Sequence, residues 1–276
     1  MPLEVKKTLT TEQLKFGLML HNPYWFTKFF WREELTIPDD REDLPKEWYG
    51  KQIVSIPQRM MLLVRSDKVV FCTGRKIFKT GIIESRVIRR GITYTKARPG
   101  EALLTAPGDH HLAPIRKRLA YKIENTPLFN MMREQFNQSQ GFLTFRFGLT
   151  WWMRVEGQKK TGESQVSLRA EDLIVDEAAF GDDASHEARQ QTIMPGSKQL
   201  MAGVPTGVRA TPFYRIDQTS EGNSWSKHNY PTYINPIYWS DKAKQEVIEK
   251  HGGVNTQSYL TQVLGQWGKE AFSSFP

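Results

Sequence analysis

The chain has 276 residues, a formal net charge of +8 and one cysteine, Cys72. This length suits one large domain or a core with a smaller appendage, and a single cysteine excludes an internal disulfide and a cysteine-rich zinc site. No run of about 18 apolar residues occurs and no secretory signal opens the chain, so we expect a soluble, intracellular protein whose charge favours an acidic partner such as nucleic acid.

The N-terminal residues 1–52 combine an aromatic stretch at 22–31 with an acidic, proline-bearing connector at 36–50. This mixture predicts short helices and a loop, which we interpret as an N-terminal helical arm or lid. From residue 53 the pattern changes to short apolar runs, each followed by turn residues and a mixed helical stretch. That alternation predicts an α/β fold with a mainly parallel sheet flanked by helices.

Four apolar runs are the predicted core strands, at residues 68–72, 102–106, 172–175 and 199–203. Residues 141–154 predict a further strand or hairpin, whereas residues 156–166 and 181–198 predict polar, mobile loops. Beyond residue 211 the sequence predicts a loop-like stretch around 222–239 and then a helix from 241 that ends at glycine. We therefore divide the chain into an N-terminal segment (1–52), a core (53–211) and a C-terminal lid or linker segment (212–276).

The predicted strand at 68–72 is followed by the loop TGRKIFKT and by a stretch with helical spacing. Strand, tight loop and helix start form the context of a phosphate-binding loop, because backbone N–H groups and the positive helix end face the anion. In that geometry Lys79 would reach the outer phosphates and Thr80 would ligate Mg²⁺. The residues predicted to bind nucleotide here are Thr73, Gly74, Arg75, Lys76, Ile77, Phe78, Lys79 and Thr80.

The loop departs from the pattern GxxxxGK[ST], since Thr73 and Phe78 stand where both glycines belong. A glycine before the lysine lets the backbone approach the phosphate closely. Phe78 must therefore aim its ring away from the phosphates or weaken nucleotide binding. A basic turn after a strand is the alternative interpretation of this segment.

Asp176 and Glu177 directly follow the predicted strand at 172–175. Open parallel sheets place ligands at the carboxyl ends of their strands, so Asp176 is expected to hold a metal ion while Glu177 polarises an attacking water. Alternatively, Asp176 and Glu177 are two solvated acids at the end of a strand. A two-metal nuclease site that adds Asp182 and Asp183 is a second alternative, weakened by the glycine turn at 181 and the lack of distant acids.

In this order the motifs resemble the ATPase region of the large terminase subunits of tailed bacteriophages. The loop resembles the Walker A variant with an arginine in its middle, here Arg75, and LIVDEAAF at 173–180 resembles the Walker B strand with its catalytic glutamate, Glu177. NPYWF at 22–26 resembles the family's N-terminal segment, and IPQ at 56–58 its adenine-sensing segment, with Gln58 on the base. Residues 258–266 resemble the segment that closes the ATPase region.

A coupling motif that senses the γ-phosphate is also matched loosely, by AGVPTG at 202–207. Its residues here are Pro205, Thr206 and Gly207. Val204 stands where the family often has a hydroxyl.

The resemblance implies a P-loop NTPase of the ASCE/RecA-like class, with ATP and Mg²⁺ held at Lys79, Thr80 and Asp176. It implies a motor that hydrolyses ATP to translocate double-stranded DNA into a procapsid. The implied partners are a homo-oligomeric ring, the portal protein and the small terminase subunit, in the host cytoplasm and without a membrane. No nuclease activity is expected, because the metal-binding acids of a second domain do not follow.

The resemblance further implies an arginine finger that completes the neighbouring subunit's ATP site. Arg169 fits by local sequence, and Arg154 and Arg146 are its rivals. A surface salt bridge is the ordinary role of each of these arginines. Basic clusters at 86–90, 116–118 and 159–160 could contact DNA phosphates.

Two other functions stay open. A helicase-like or other nucleic-acid-remodelling ATPase would share the loop and the acidic pair. Alternatively, Phe78 marks a domain that no longer hydrolyses ATP and serves as a DNA-binding or assembly module.

Overall fold

An eight-stranded sheet forms the centre of the protein, in a computed structural model that describes residues 10–40, 44–53, 66–156, 168–238 and 240–268. The strand order is β3-β4-β5-β2-β6-β7-β1-β8. The strands are β1 (Lys68–Thr73), β2 (Gly100–Ala106), β3 (Arg133–Asn137), β4 (Phe142–Phe145), β5 (Leu149–Val155), β6 (Ala170–Val175), β7 (Ile193–Gly203) and β8 (Ser226–Tyr230).

Helices and short 3-10 turns connect these strands. The helices of the described residues are α1 (Thr11–His21), α2 (Pro23–Phe30), α3 (Lys79–Ile92), α4 (Asp109–Asn125), α5 (Pro127–Met132), α6 (Asp183–Thr192), α7 (Pro212–Gln218), α8 (Asp241–Lys250) and α9 (Gln257–Gln262). Within the described ranges, no helix has the length and apolarity needed to cross a membrane.

The strand directions confirm the predicted mainly parallel sheet. The strands from β5 to β8 in the sheet order pair in parallel, and only β3 and β4 add antiparallel pairs at one edge. The four predicted core strands are β1, β2, β6 and β7, which lie at the centre and read as nearly continuous apolar runs because both faces are covered. The predicted hairpin at 141–154 is the β4–β5 pair.

The sheet separates two apolar clusters, and alternate residues of β1 divide between them. Val69 and Phe71 point into the larger cluster, which is covered by α2, α3 and α4, whereas Val70 and Cys72 point into the smaller cluster beneath α7. The N-terminal arm joins the larger cluster through Phe26 and other fully buried side chains.

Two loop predictions are wrong in part. Residues 183–192 form α6, and the stretch from 193 already belongs to β7. Helix α6 buries Arg189 and Thr192 rather than aliphatic residues, so its hydrophobic periodicity is weak. The polar residues 226–230, which lie in the loop-like stretch predicted around 222–239, form β8, a strand at the edge of the sheet.

The proposed division of the chain at residues 52 and 211 stays a prediction.

Candidate functional site

The loop between β1 and α3 lies at the carboxyl edge of the sheet, where the parallel strands end. Two of its residues adopt left-handed backbone conformations, Lys76 with φ 61° and Phe78 with φ 71°. Such conformations cost a non-glycine residue about 1–3 kcal/mol and persist only when the surroundings impose them. The shape of this loop is therefore held by the rest of the molecule.

The first half of the loop is held by two C-terminal stretches, residues 230–235 and 262–265, which we call the C-terminal clamp. A Cβ built at Gly74 would lie 2.3 Å from the carbonyl oxygen of Val263, and one built at Gly265 would lie 2.5 Å from the carbonyl carbon of Thr73. Only glycines permit this approach. The hydrogen bonds across the contact are Gly74 N to Tyr230 O (2.8 Å), Arg75 N to Gln262 O (2.8 Å), Thr232 Oγ1 to Arg75 O (2.9 Å) and Asn235 Nδ2 to Lys76 O (2.9 Å).

The second half of the loop leads into the first turn of α3. Phe78 is the N-cap residue of α3, and no side chain of the described residues accepts a hydrogen bond from the first N–H groups of that helix. In contrast, Asp182 caps α6, Thr211 caps α7 and Ser240 caps α8 through their side chains. The uncapped donors at the positive end of α3 provide the means to bind an anion.

The ring of Phe78 packs on the first turn of α3. A Cβ built at Gly81 would lie only 2.2 Å from its Cζ, so the ring occupies the space that a side chain at residue 81 would fill. The ring is half-buried and contacts the larger apolar cluster. Phe78 thus adopts a backbone conformation usual for glycine, and its ring fits because residue 81 has no side chain.

Lys79 meets the acidic pair across the site. Its Nζ lies 2.6 Å from Glu177 Oε1 and 3.3 Å from Asp176 Oδ1. Lys79 begins α3 after β1, and the two acids follow β6, which is separated from β1 by β7. Parallel strands that end at one edge therefore bring together residues that are far apart in the sequence.

Burial and the neighbouring charges shift the pKa of Asp176. Desolvation raises the pKa of Asp176, the positive charge of Lys79 opposes this rise, and the neighbouring Glu177 adds to it. Asp176 Oδ1 is buried and accepts no hydrogen bond of regular geometry from the described residues, so its contact with Lys79 is electrostatic. A hard cation such as Mg²⁺ prefers this type of oxygen ligand, so Asp176 fits the predicted metal role.

Magnesium sites in nucleotide enzymes use few protein ligands, because phosphates and water supply the others. The described part of the chain contains no group of three or more His, Cys, Asp or Glu side chains able to hold a metal by themselves. The predicted ligands Asp176 and Thr80 would therefore hold such an ion only together with a triphosphate.

A buried ion pair supports the turn that follows Glu177. Glu177 itself is left-handed with φ 50°, and residues Ala178–Phe180 form a 3-10 turn. Beneath this turn, Glu156 Oε1 lies 2.5 Å from Arg189 Nη1 and accepts a hydrogen bond of 2.8 Å from Thr105 Oγ1. Both charged groups are nearly inaccessible, and the motif comparison did not single out either of them.

The loop, the start of α3 and the acidic strand tip enclose a cavity of about 350 Å³, the loop cavity. Two residues absent from the predicted site, Arg118 on α4 and Val204 after β7, also line it. The lining consists of residues 74–81 together with Arg118, Glu177 and Val204. The predicted coupling residues Pro205, Thr206 and Gly207 follow directly after Val204, but they do not line the cavity.

The start of α4 also approaches the acids. His110 and His111 lie in its first turn, and the ring of His111 stacks on Phe180 with centroids 6.3 Å apart. Burial lowers the pKa of His111, as does His110, while the two acids oppose this shift. Sequence spacing alone gave no sign of this proximity.

The three candidate finger arginines lie at different places. Arg169 precedes β6 at the amino edge of the sheet, and β6 separates it from the acids by about 20 Å. Arg146 lies in the turn before β5, also at the amino edge. Arg154 is level with Val175 at the carboxyl edge, with its guanidinium 4.6 Å from the centroid of the Trp152 ring.

None of these three arginines lines the loop cavity, and the assignment of a finger among them stays a prediction. Gln58 lies outside the described residues, as do residues 159–160 of the basic clusters. Their assignments stay predictions.

Comparison with solved structures identifies the same fold in large terminases. The HK97 bacteriophage large terminase is 13% identical with a TM-score of 0.65, and the match covers 90% of this chain and 55% of that one. The Thermus phage P74-26 large terminase ATPase domain is 12% identical with a TM-score of 0.58, over 75% of this chain and 92% of that one.

A large terminase from another thermophilic bacteriophage, solved in complex with ADP, is 13% identical with a TM-score of 0.57, over 75% of this chain and 50% of that one. The chain thus spans about half the length of these two large terminase chains, that of HK97 and that solved with ADP. No family model and no curated protein matches the sequence. The resemblance seen in the motifs is therefore confirmed at the level of the fold.

Proposed function

We propose that this protein hydrolyses ATP at the loop cavity and acts as the motor domain of a large terminase. The observation that carries the proposal is the contact of Lys79 with both Asp176 and Glu177 beside an uncapped helix start. The terminase ATPase fold, seen with ADP in the thermophilic phage protein, supports ATP as the nucleotide.

Lys79 would exchange partners when ATP binds. In the structure its charge is offset by the two carboxylates, one at 2.6 Å and one at 3.3 Å. The outer phosphates of ATP would draw Lys79 away, which would release Glu177 to face a water molecule. Binding of the substrate would then also prepare the general base.

In the chemical step, a water oxygen attacks the γ-phosphorus while the bond from that phosphorus to the bridging oxygen of ADP breaks. Glu177 orients the water and accepts its proton, and Lys79 with the N–H groups of α3 balances the charge that develops. Mg²⁺, held by Asp176 and Thr80, would supply further charge neutralisation at the phosphates.

Coupling to movement would run through β7. This strand lies between β1 and β6, and its end carries Val204 into the loop cavity, directly before Pro205, Thr206 and Gly207. A change at the phosphates would therefore reach residues 205–207 through a contact already present. We extend the proposal to translocation of double-stranded DNA into a procapsid by a ring of subunits with portal protein and small terminase subunit.

The test is ATP turnover by Glu177→Gln, which keeps the size of the side chain but cannot accept a proton. We expect a loss of about 10²-fold or more. Turnover equal to that of the wild-type protein would remove the catalytic assignment. Because a finger supplied in trans could leave the isolated chain slow, calorimetric titration with ATP and Mg²⁺ is measured in parallel. Undetectable binding by the wild-type chain would favour the assembly module instead.

A further inference from the structure

Arg118 lies in the wall of the loop cavity; it belongs to the basic cluster at 116–118 and to none of the nucleotide-binding motifs. It projects from α4, whereas the other cationic side chains of the wall belong to the loop itself or to the first residue of α3. Its side chain is about half exposed, which leaves it accessible to a ligand in the cavity.

A buried carboxylate holds Arg118 in the structure. Nε of Arg118 lies 2.9 Å from Oε1 of Glu84, a residue of α3 with no exposed surface. That oxygen accepts no hydrogen bond of regular geometry from the described residues, so the contact is an ion pair without an aligned donor. Burial raises the pKa of Glu84 to about 7 and Arg118 opposes the rise, while Trp31 Nε1 donates to the other oxygen at 3.4 Å.

The cationic side chains in the wall of the loop cavity are those of Arg75, Lys76, Lys79 and Arg118, and a nucleoside triphosphate would need more than one of them. The charge of Lys79 is already offset by two carboxylates, and Arg75 donates its Nε to the side chain of Gln262 in the C-terminal clamp. A nucleoside triphosphate adds several negative charges. An arginine presents five N–H donors in a planar fork that matches phosphate oxygens.

We propose that Arg118 is a second phosphate-binding residue, which Glu84 holds at the cavity wall until a nucleotide enters. This inference rests on the proposed ATP site and adds to it a contact from α4. The arginine would turn its fork from the carboxylate to the phosphates, an exchange of one oxyanion partner for another.

The neighbouring Arg116 provides a matched control. It lies on the same helix and pairs with Asp109 of that helix, and it is not in the wall of the loop cavity. Loss of Arg116 removes the same charge from the same helix without removing a cavity group.

Calorimetric titration with MgATP and with pyrophosphate tests the proposal. We expect Arg118→Ala to weaken both by about tenfold or more, Arg118→Lys to weaken them less, and Arg116→Ala to leave both unchanged. Thermal unfolding of each variant confirms that it is folded, and Arg118→Lys serves if the alanine variant is not.

Glu84→Gln separates a phosphate contact from a structural role. If Arg118 binds phosphate, removing its competitor leaves ATP affinity equal or higher. If Arg118 only steadies Glu84, both Glu84→Gln and Arg118→Ala weaken binding alike, which overturns the proposal. Wild-type affinity in Arg118→Ala, or a loss for MgATP without one for pyrophosphate, also overturns it. Failure of the wild-type chain to bind either ligand defeats the ATP site itself.

Discussion

The loop between β1 and α3 and the acidic strand tip face each other, yet they reach their geometry in opposite ways. The strand tip follows its motif, and β6 is buried along its whole length, so local sequence and position in the sheet agree. The loop lacks both glycines of its motif, and its left-handed residues are stabilised from outside by the C-terminal clamp and by Gly81. The conformation of this loop is therefore set by contacts from other parts of the chain as well as by its own residues.

The largest effect is expected where the clamp touches the loop. Gly265→Ala combines a left-handed φ of 64° with a Cβ placed against the backbone of Thr73 and Gly74. Gly196 is the control, because its φ is 76° and nothing lies within 4 Å. We expect urea unfolding to show that Gly265→Ala lowers the free energy of unfolding by about 3 kcal/mol or more and that Gly196→Ala lowers it by about 1 kcal/mol. Equal losses would show that the clamp does not constrain the loop.

An intermediate loss of stability is expected where the Phe78 ring packs on the first turn of α3. Gly81→Ala should displace the Phe78 ring and destabilise the protein by about 1–2 kcal/mol, with weaker ATP binding. The ring can rotate, so the cost is smaller than at a backbone contact. The double variant Phe78→Ala, Gly81→Ala should recover part of the loss, which a double-mutant cycle measures as coupling.

Gly17→Ala is the control, and it should raise the free energy of unfolding. Nothing lies within 4 Å of a Cβ at residue 17, and a helix interior favours alanine over glycine by about 0.5–1 kcal/mol. Additive losses at residues 78 and 81 would contradict the proposed exchange of space between them.

The smallest effect concerns the strand tip. Glu177→Gly and Glu177→Ala both remove the carboxylate and its contact with Lys79. The difference between their free energies of unfolding therefore measures the backbone strain at residue 177. With φ at 50°, we expect the glycine variant to be about 1 kcal/mol more stable in urea unfolding, although both lose ATP turnover. An alanine variant as stable as the glycine variant would mean that residue 177 carries no backbone strain.

Sequence patterns predicted the elements that carry continuous apolar runs. The strands β1, β2, β6 and β7 were recognised for that reason, and the helix that follows the loop was recognised from its helical spacing. Helix α6 and strand β8 were not, because one buries Arg189 and the other is a polar edge strand. Hydrophobic periodicity detects elements that bury apolar side chains, and neither α6 nor β8 is held mainly by such burial.

The candidate site was predictable only where residues adjoin in sequence. Lys79, Asp176 and Glu177 stand in short motifs, and their meeting follows from the parallel order of the strands. Arg118, the Glu156–Arg189 pair and the support of Phe78 by Gly81 depend on packing between separate elements. No local spacing contains that information.

The C-terminal clamp also makes the loop sensitive to mechanical load. Tension applied to the chain beyond residue 265 would reach the loop through the hydrogen bond between Gln262 and Arg75, and would reach β1 and β8 through the bonds that Cys72 and Asn229 donate to the carbonyl oxygen of Gly265. A ligand that stiffens the loop would, in return, resist displacement of the clamp, since such linkage is reciprocal. Displacement of the clamp and ligand binding at the loop would thus be linked through one equilibrium.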